Sequence, residues 1–195
     1  YRMQLYLENI SHNGCFFYYD SNFVLVMNDV GQKDMTEIIE GMVKRVKMRM
    51  PDVPIYVGVG SKLQDIANLA LCYDRAKAAV TMASSRKKDL LYYEDMGMYR
   101  LLYAVKDEAL LQEMGAEPLR ILDEYDKKHN SNYVETLEQY LKYDRSIQAV
   151  SEAMFTHRNT VIYRINNIKK LLNSELDSPE ERIPLQVAFY IRNMK

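Results

Sequence analysis

From Thr156 to Leu172 the chain carries four basic residues, Arg158, Arg164, Lys169 and Lys170, no acid, and apolar residues at Val161, Ile165, Ile168 and Leu172. At about 100° per residue those apolar side chains fall within about 60° of one another on a helix, so they form one narrow buried stripe. His157, Arg158, Asn159, Thr160, Tyr163, Arg164 and Asn167 occupy the opposite side and the first turns, with Thr156 as the predicted N-cap. A shorter segment precedes this one, capped by Ser146 and turning Ile147, Val150, Ala153 and Met154 inward, and only Phe155 and Thr156 separate the two. A short helix, a tight turn and a longer helix with a basic, amide-rich N-terminal half is what reading a major groove requires. Arginine pairs with guanine and asparagine with adenine, while hydroxyls, tyrosine and the helix dipole hold phosphates. On residues alone, a plain helical bundle with a solvated basic face remains the competing reading.

The flanks extend the helical pattern over residues 131–195. Ser131 is the predicted cap of a helix carrying Val134, Leu137 and Leu141 on one face. Ser178-Pro179-Glu180-Glu181 has the form of a capping box with proline in the first turn, and opens a last helix to about Asn193. Its acids suit the helix dipole, which makes them a structural feature and not an acid-base pair. The most polar stretch of the chain, residues 126–132, marks an expected domain boundary. Residues 98–130 before it read as a helical connector, with apolar groups at Leu101, Leu102 and Val105, then Leu110, Leu111 and Met114, then Leu119, Ile121, Leu122 and Tyr125.

Residues 1–97 read differently. Cys15 to Tyr19 and Phe23 to Met27 are aromatic and β-branched runs around Asp20-Ser21-Asn22, which predicts a hairpin. Helical spacing follows from Lys33 to Met50 and is ended by Pro51 and Pro54. Ile55 to Gly60 is expected as a buried central strand, Leu63 to about Ala83 as an alanine-rich helix and Leu90 to Tyr93 as an edge strand. Gly58 and Gly60 mark close packing of a helix on that strand. The order describes an α+β domain with an antiparallel or mixed sheet. Met3, Leu5, Leu7 and Ile10 have the spacing of a helix interior, and the expectation is a fragment of a longer chain.

Composition excludes several function classes. With 26 basic against 27 acidic residues, any basic surface is local. Cys15 and Cys72 lie far apart in apolar contexts and are expected to be buried, reduced thiols. His12, His129 and His157 share no metal-ligand spacing, and no catalytic Ser/His/Asp or Cys/His set stands out. We therefore expect no catalytic residues, metal or cofactor, and no enzyme. No apolar run reaches the roughly 20 residues of a membrane span and no signal peptide is visible, so the expected location is cytoplasmic and no membrane partner is expected. The abundant tyrosines are expected in core and interface packing.

Thr136-Leu137-Glu138-Gln139-Tyr140-Leu141, then Ala153 to Ile165 with its core His157-Arg158-Asn159-Thr160-x-x-Tyr163-Arg164, then Leu176 to Arg182, resemble the C-terminal domain of the PucR/CdaR family of bacterial transcription regulators. Ile162 departs from it, standing where many relatives carry a basic residue. Val57-Gly58-Val59-Gly60, Tyr73 to Ala79 and Tyr93 to Gly97 resemble the degenerate GGDEF-like module upstream of that domain in the same family. A hairpin tip of Asp20-Ser21-Asn22, with one acid and no glycine, does not fit a working cyclase.

The resemblance implies a GGDEF-like α+β domain over 1–97, a connector over 98–130 and an all-α helix-turn-helix domain over 131–195, with a recognition helix at about 157–172. It implies double-stranded DNA as partner, His157, Arg158, Asn159, Thr160, Tyr163, Arg164, Asn167 and Lys169 as DNA-binding residues, and a small-molecule effector sensed further upstream. A homodimer or higher homo-oligomer is expected because one short recognition helix covers too few base pairs. The alternatives are a protein-interaction module and a nucleotide-sensing regulator using the GGDEF-like domain.

Overall fold

The structure, a computed structural model, describes residues 14–27, 32–62 and 65–194. The chain divides between Tyr93 and Glu94 into two compact units, the first α+β and the second helical. The helical spacing expected around Met3 to Ile10 lies outside the described residues.

In the first unit, β1 (Gly14–Tyr19) and β2 (Asn22–Met27) form an antiparallel hairpin, with Phe16 opposite Leu25 and Tyr19 opposite Asn22. The turn is the two residues Asp20 and Ser21, with φ of 47° and 62°, the left-handed pair that matches the twist of a tight hairpin. The Asn22 side-chain amide donates to the Asp20 carbonyl at 2.7 Å. Helix α1 (Gln32–Arg49) follows and stops before Pro51.

β3 (Val57–Val59) pairs in parallel with β4 (Leu90–Tyr92), joined through α2 (Leu69–Ser85), so this part is a strand-helix-strand crossover. The expected single sheet is not what forms among the described residues. There are two two-stranded sheets, and β3 has one partner where a central strand would have two. The expected helix from Leu63 instead starts with a 3-10 turn, Ile66–Asn68, capped by the Asp65 carboxylate on the Ala67 amide at 2.9 Å; Leu63 and Gln64 lie outside the described residues.

Close packing at the glycines is as expected. A Cβ on Gly58 would stand 2.2 Å from the Val80 nitrogen and 2.3 Å from the Ala76 oxygen, so the α2 backbone rests directly on the strand. Ala79, Met82 and Ala83 line the buried side of that helix. The expectation of buried thiols is corrected. Cys15 is exposed on β1, and Cys72 is half-buried with its thiol donating to the Ser61 carbonyl at 2.7 Å; neither is in a disulfide among the described residues.

The second unit contains α3 (Tyr99–Ala104), α4 (Glu108–Ala116), α5 (Arg120–His129), α6 (Tyr133–Lys142), α7 (Ile147–Ala153), α8 (Arg158–Leu172) and α9 (Pro179–Arg192). The continuous helical pattern expected from Met98 breaks at Val105 and Asp107, both extended, where the Asp107 carboxylate caps α4 on the Leu110 amide at 3.0 Å. One core runs through the unit: Leu119 and Leu122 join Tyr133, Leu137, Val150, Val161, Ile165, Ile168, Leu176, Leu185 and Phe189. Helix α9 lies close on α4, since a Cβ on Gly115 would come within 2.8 Å of the Ile191 side chain. Among the described residues no helix is long and apolar enough to cross a membrane.

Candidate nucleic-acid interface

Helix α6 sets one wall of the site, and its N-terminus is built differently from expectation. Ser131 does not cap it. Its hydroxyl donates to the Asp126 carboxylate at 2.6 Å, and that carboxylate accepts the Tyr133 and Val134 amides at 2.8 and 2.9 Å. The two oxygens of one carboxyl group on the preceding helix therefore take two orphan donors, one each. At α7 the expected cap is present, with the Ser146 hydroxyl accepting the Ala149 amide at 3.3 Å.

Between α7 and α8 the chain turns at Phe155, whose φ of 48° puts a bulky residue where glycine is the common solution. Its ring is 98% exposed. Thr156, the expected cap of α8, is turned back so that its hydroxyl donates to the Met154 carbonyl at 3.0 Å. The cap is His157, extended in backbone, with its ring Nδ1 accepting the Asn159 amide at 3.2 Å. Threonine satisfies the end of the first helix, leaving the next residue to open the second.

The α8 stripe is buried as its spacing requires: Val161, Ile165 and Ile168 are covered and Leu172 is partly covered. On the outer side His157, Arg158, Asn159, Thr160 and Tyr163 are exposed, and the side chains of Arg158, Asn159 and Thr160 make no hydrogen bond or ion pair within the described residues. Three other expected site residues are engaged internally. Arg164 donates to the Thr136 hydroxyl at 3.3 Å, Asn167 donates to the Tyr133 hydroxyl at 3.0 Å, and Lys169 pairs with Glu175 at 3.2 Å.

Sequence reasoning counted Lys170 among the basic residues of this helix but left it, with Asn166, out of the expected contacts; both are exposed. They continue the outer row Asn159, Tyr163, Asn166, Lys170 at helical spacing, a signal that extension of the same 3.6-residue count would have found. Exposed Ile162 lies beside this row.

The structure closes the domain as the capping signature predicts. Ser178 accepts the Glu181 amide at 3.2 Å, and Glu181 reaches back to the Ser178 amide at 3.1 Å with Pro179 in the first turn. The Ser178 amide first, then the Ser174 hydroxyl and the Asp177 amide, hold the Glu181 carboxyl below its ordinary range.

At the hairpin tip, the other place considered for ligand binding, Asp20 is occupied from α2. Lys77 donates to its carboxylate at 2.5 Å and Tyr73 at 3.4 Å, and the Lys77 pairing lowers the Asp20 pKa while raising that of Lys77. Among the described residues no group of three or more His, Cys, Asp or Glu side chains is arranged to hold a metal ion.

Residues 133–191 match the family model of the PucR C-terminal helix-turn-helix domain. Over 184 residues the chain is 24% identical to the proline-responsive transcriptional activator PutR of Bacillus subtilis (strain 168), covering 90% of this chain and 45% of that protein. It is 22% identical over 182 residues to the DNA-binding transcriptional activator AdeR of the same organism, covering 90% and 43%. It is 26% identical over 161 residues to the carbohydrate diacid regulator of Escherichia coli (strain K12), covering 82% and 41%. The chain thus spans less than half the length of these relatives. The helix-turn-helix built on α7 and α8 lies within the residues that match the PucR C-terminal domain, and the three transcriptional regulators are similar to this chain along most of its length.

Proposed function

We propose that the chain binds double-stranded DNA sequence-specifically and controls transcription, with the N-terminal half of α8 in the major groove. The observation that carries this is the unpaired, acid-free outer side of α8, where Arg158, Asn159 and Thr160 stand beside the positive end of a 15-residue helix. Arg158, Asn159 and Thr160 contact base edges and the nearby backbone, and His157 lies at the same end. Tyr163 and Lys170 contact phosphates along the row. The protein acts in the cytoplasm as a homodimer or higher homo-oligomer, since paired half-sites supply the specificity one helix lacks. A small-molecule effector regulates it, as the names of the proline-responsive activator PutR and the carbohydrate diacid regulator suggest for those proteins.

The α+β unit is a degenerate GGDEF-like module without enzymatic turnover. Support comes from the hairpin, helix, strand, helix, strand order and from an Asp20 carboxylate already held by Lys77. Incubation with GTP and Mg²⁺ yields no cyclic dinucleotide on this reading, and turnover would refute it.

Selection from random duplex DNA, run with the wild-type chain and with Arg158→Ala, tests the main proposal. The expected result is a recovered motif whose preference relaxes at one base in the variant, at a cost of about 1–3 kcal/mol. Binding should weaken with salt at a log-log slope of roughly −0.9 per phosphate neutralised. Lack of any enriched sequence, or binding indifferent to salt, would favour a protein-interaction module instead.

A further inference from the structure

Two of the polar side chains on α8 face a neighbouring helix in register. Asn167 donates to the Tyr133 hydroxyl at 3.0 Å and Arg164 donates to the Thr136 hydroxyl at 3.3 Å. Positions 164 and 167 are three apart on α8, and 133 and 136 are three apart on α6, so the two bonds are rungs of one ladder between helices running in opposite senses. Both acceptors sit in the core: Thr136 is fully buried and Tyr133 nearly so. Each is fixed in turn. The Thr136 hydroxyl donates to the Asn132 carbonyl at 2.5 Å, and the Tyr133 ring stacks on Tyr125 of α5 with centroids 4.8 Å apart. Asp126, the next residue on α5, holds the backbone amide of Tyr133.

We infer that Arg164 and Asn167 are positioning residues, which fix the rotation of α8 about its axis through Thr136 and Tyr133 and tie that rotation to α5, and are not DNA contacts. The inference rests on the DNA-binding reading of α8. Burial of an apolar stripe is non-directional and by itself leaves the last few degrees of a helix's rotation weakly fixed. A directional bond on one edge opposes that roll, and roll decides whether Arg158, Asn159 and Thr160 meet base edges. Because the first rung is anchored through Tyr125 and Asp126, a displacement of α5 is transmitted to the reading helix by the same groups.

The test is a double-mutant cycle on the full chain, with Tyr133→Phe, Asn167→Ala and the pair together, read as affinity for the selected duplex and for a scrambled one. Tyr133→Phe keeps the ring and its stacking and removes only the hydroxyl. The expected outcome is a loss of roughly three- to tenfold on the selected duplex in each single variant, consistent with one hydrogen bond, no further loss in the double variant, and an unchanged salt slope. Affinity for the scrambled duplex stays within twofold, because non-specific binding does not need the correct roll. Thr136→Val, which removes the acceptor of the second rung, follows the same pattern.

Loss with Asn167→Ala but not with Tyr133→Phe would make Asn167 a DNA contact and overturn the inference. Equal loss on both duplexes would overturn it too, since that is the signature of a smaller folded fraction. Failure of the wild-type chain to bind any duplex would overturn the DNA-binding reading itself, and this inference with it.

Discussion

Arg192 holds Asp123 with both terminal guanidinium nitrogens, one at 3.0 Å, while its Nε donates to the Gly115 carbonyl at 3.0 Å. One side chain near the end of α9 thereby fastens α5 and the last turn of α4 to the helix-turn-helix domain. The pair is about two-thirds buried, so solvent screens it less than an exposed ion pair. Arg192→Ala leaves a largely buried carboxylate and a carbonyl in the last turn of α4 without their donor. We expect it to lower the stability of the 94–195 unit by about 1–3 kcal/mol, measured by thermal denaturation, with Asp123→Asn costing less because the amide still accepts one bond.

Gly58 is held by contact and not by backbone conformation. Its Cβ position is filled by the Val80 nitrogen and the Ala76 oxygen, which are main-chain atoms that no rotamer change can move aside. Gly58→Ala should cost on the order of 3 kcal/mol by pushing α2 off β3. Amide exchange within β3 and α2 should then quicken by on the order of a hundredfold. Unchanged exchange would mean that the strand and helix are not in the contact described.

The left-handed turn at Phe155 leads to the opposite expectation. A non-glycine residue at φ of 48° costs about 1–2 kcal/mol, and the almost fully exposed ring contributes no burial in return. Phe155→Gly removes that strain but adds freedom to the unfolded chain, an offset of about 0.5–1 kcal/mol. The variant should melt at the wild-type temperature or slightly above it. A clear fall in melting temperature would show that the ring is packed in solution.

The recognition helix shows what residue order can and cannot convey. Val161, Ile165 and Ile168 were legible because burial of a stripe depends only on spacing, and the Ser178 and Glu181 box because both partners lie within one turn. The caps of α6 and α8 were misread for the same reason in each case. Ser131 and Thr156 are good caps in isolation, but Asp126 and His157 offer acceptors that bond better with the backbone already in place. Side-chain direction was the other obscured feature. Arg164, Asn167 and Lys169 carry the polarity of a contact surface, yet their partners Thr136, Tyr133 and Glu175 lie outside the helix, where helical periodicity has no information. The divided sheet was hidden similarly, since strand pairing is non-local and alternation identifies a strand without naming its neighbour.

The depressed pKa of Glu181 makes the N-terminal cap of α9 sensitive to acid. Its carboxylate accepts the Ser178 amide, the Ser174 hydroxyl and the Asp177 amide, all of which favour the ionised form in the folded state. For a group whose folded pKa lies below its unfolded one, the contribution to stability is complete above the unfolded value and disappears as pH falls through the folded value. The ordinary value is 4.5, so the cap is at full strength at neutral pH and weakens progressively below that value. Glu181→Gln retains an oxygen acceptor of the same reach but cannot ionise. Measured by denaturant titration, it should be less stable than wild type at pH 7, and the difference should vanish as the pH drops below the folded pKa of Glu181. A difference that persists unchanged into acid would assign the loss to packing of the side chain and not to its charge.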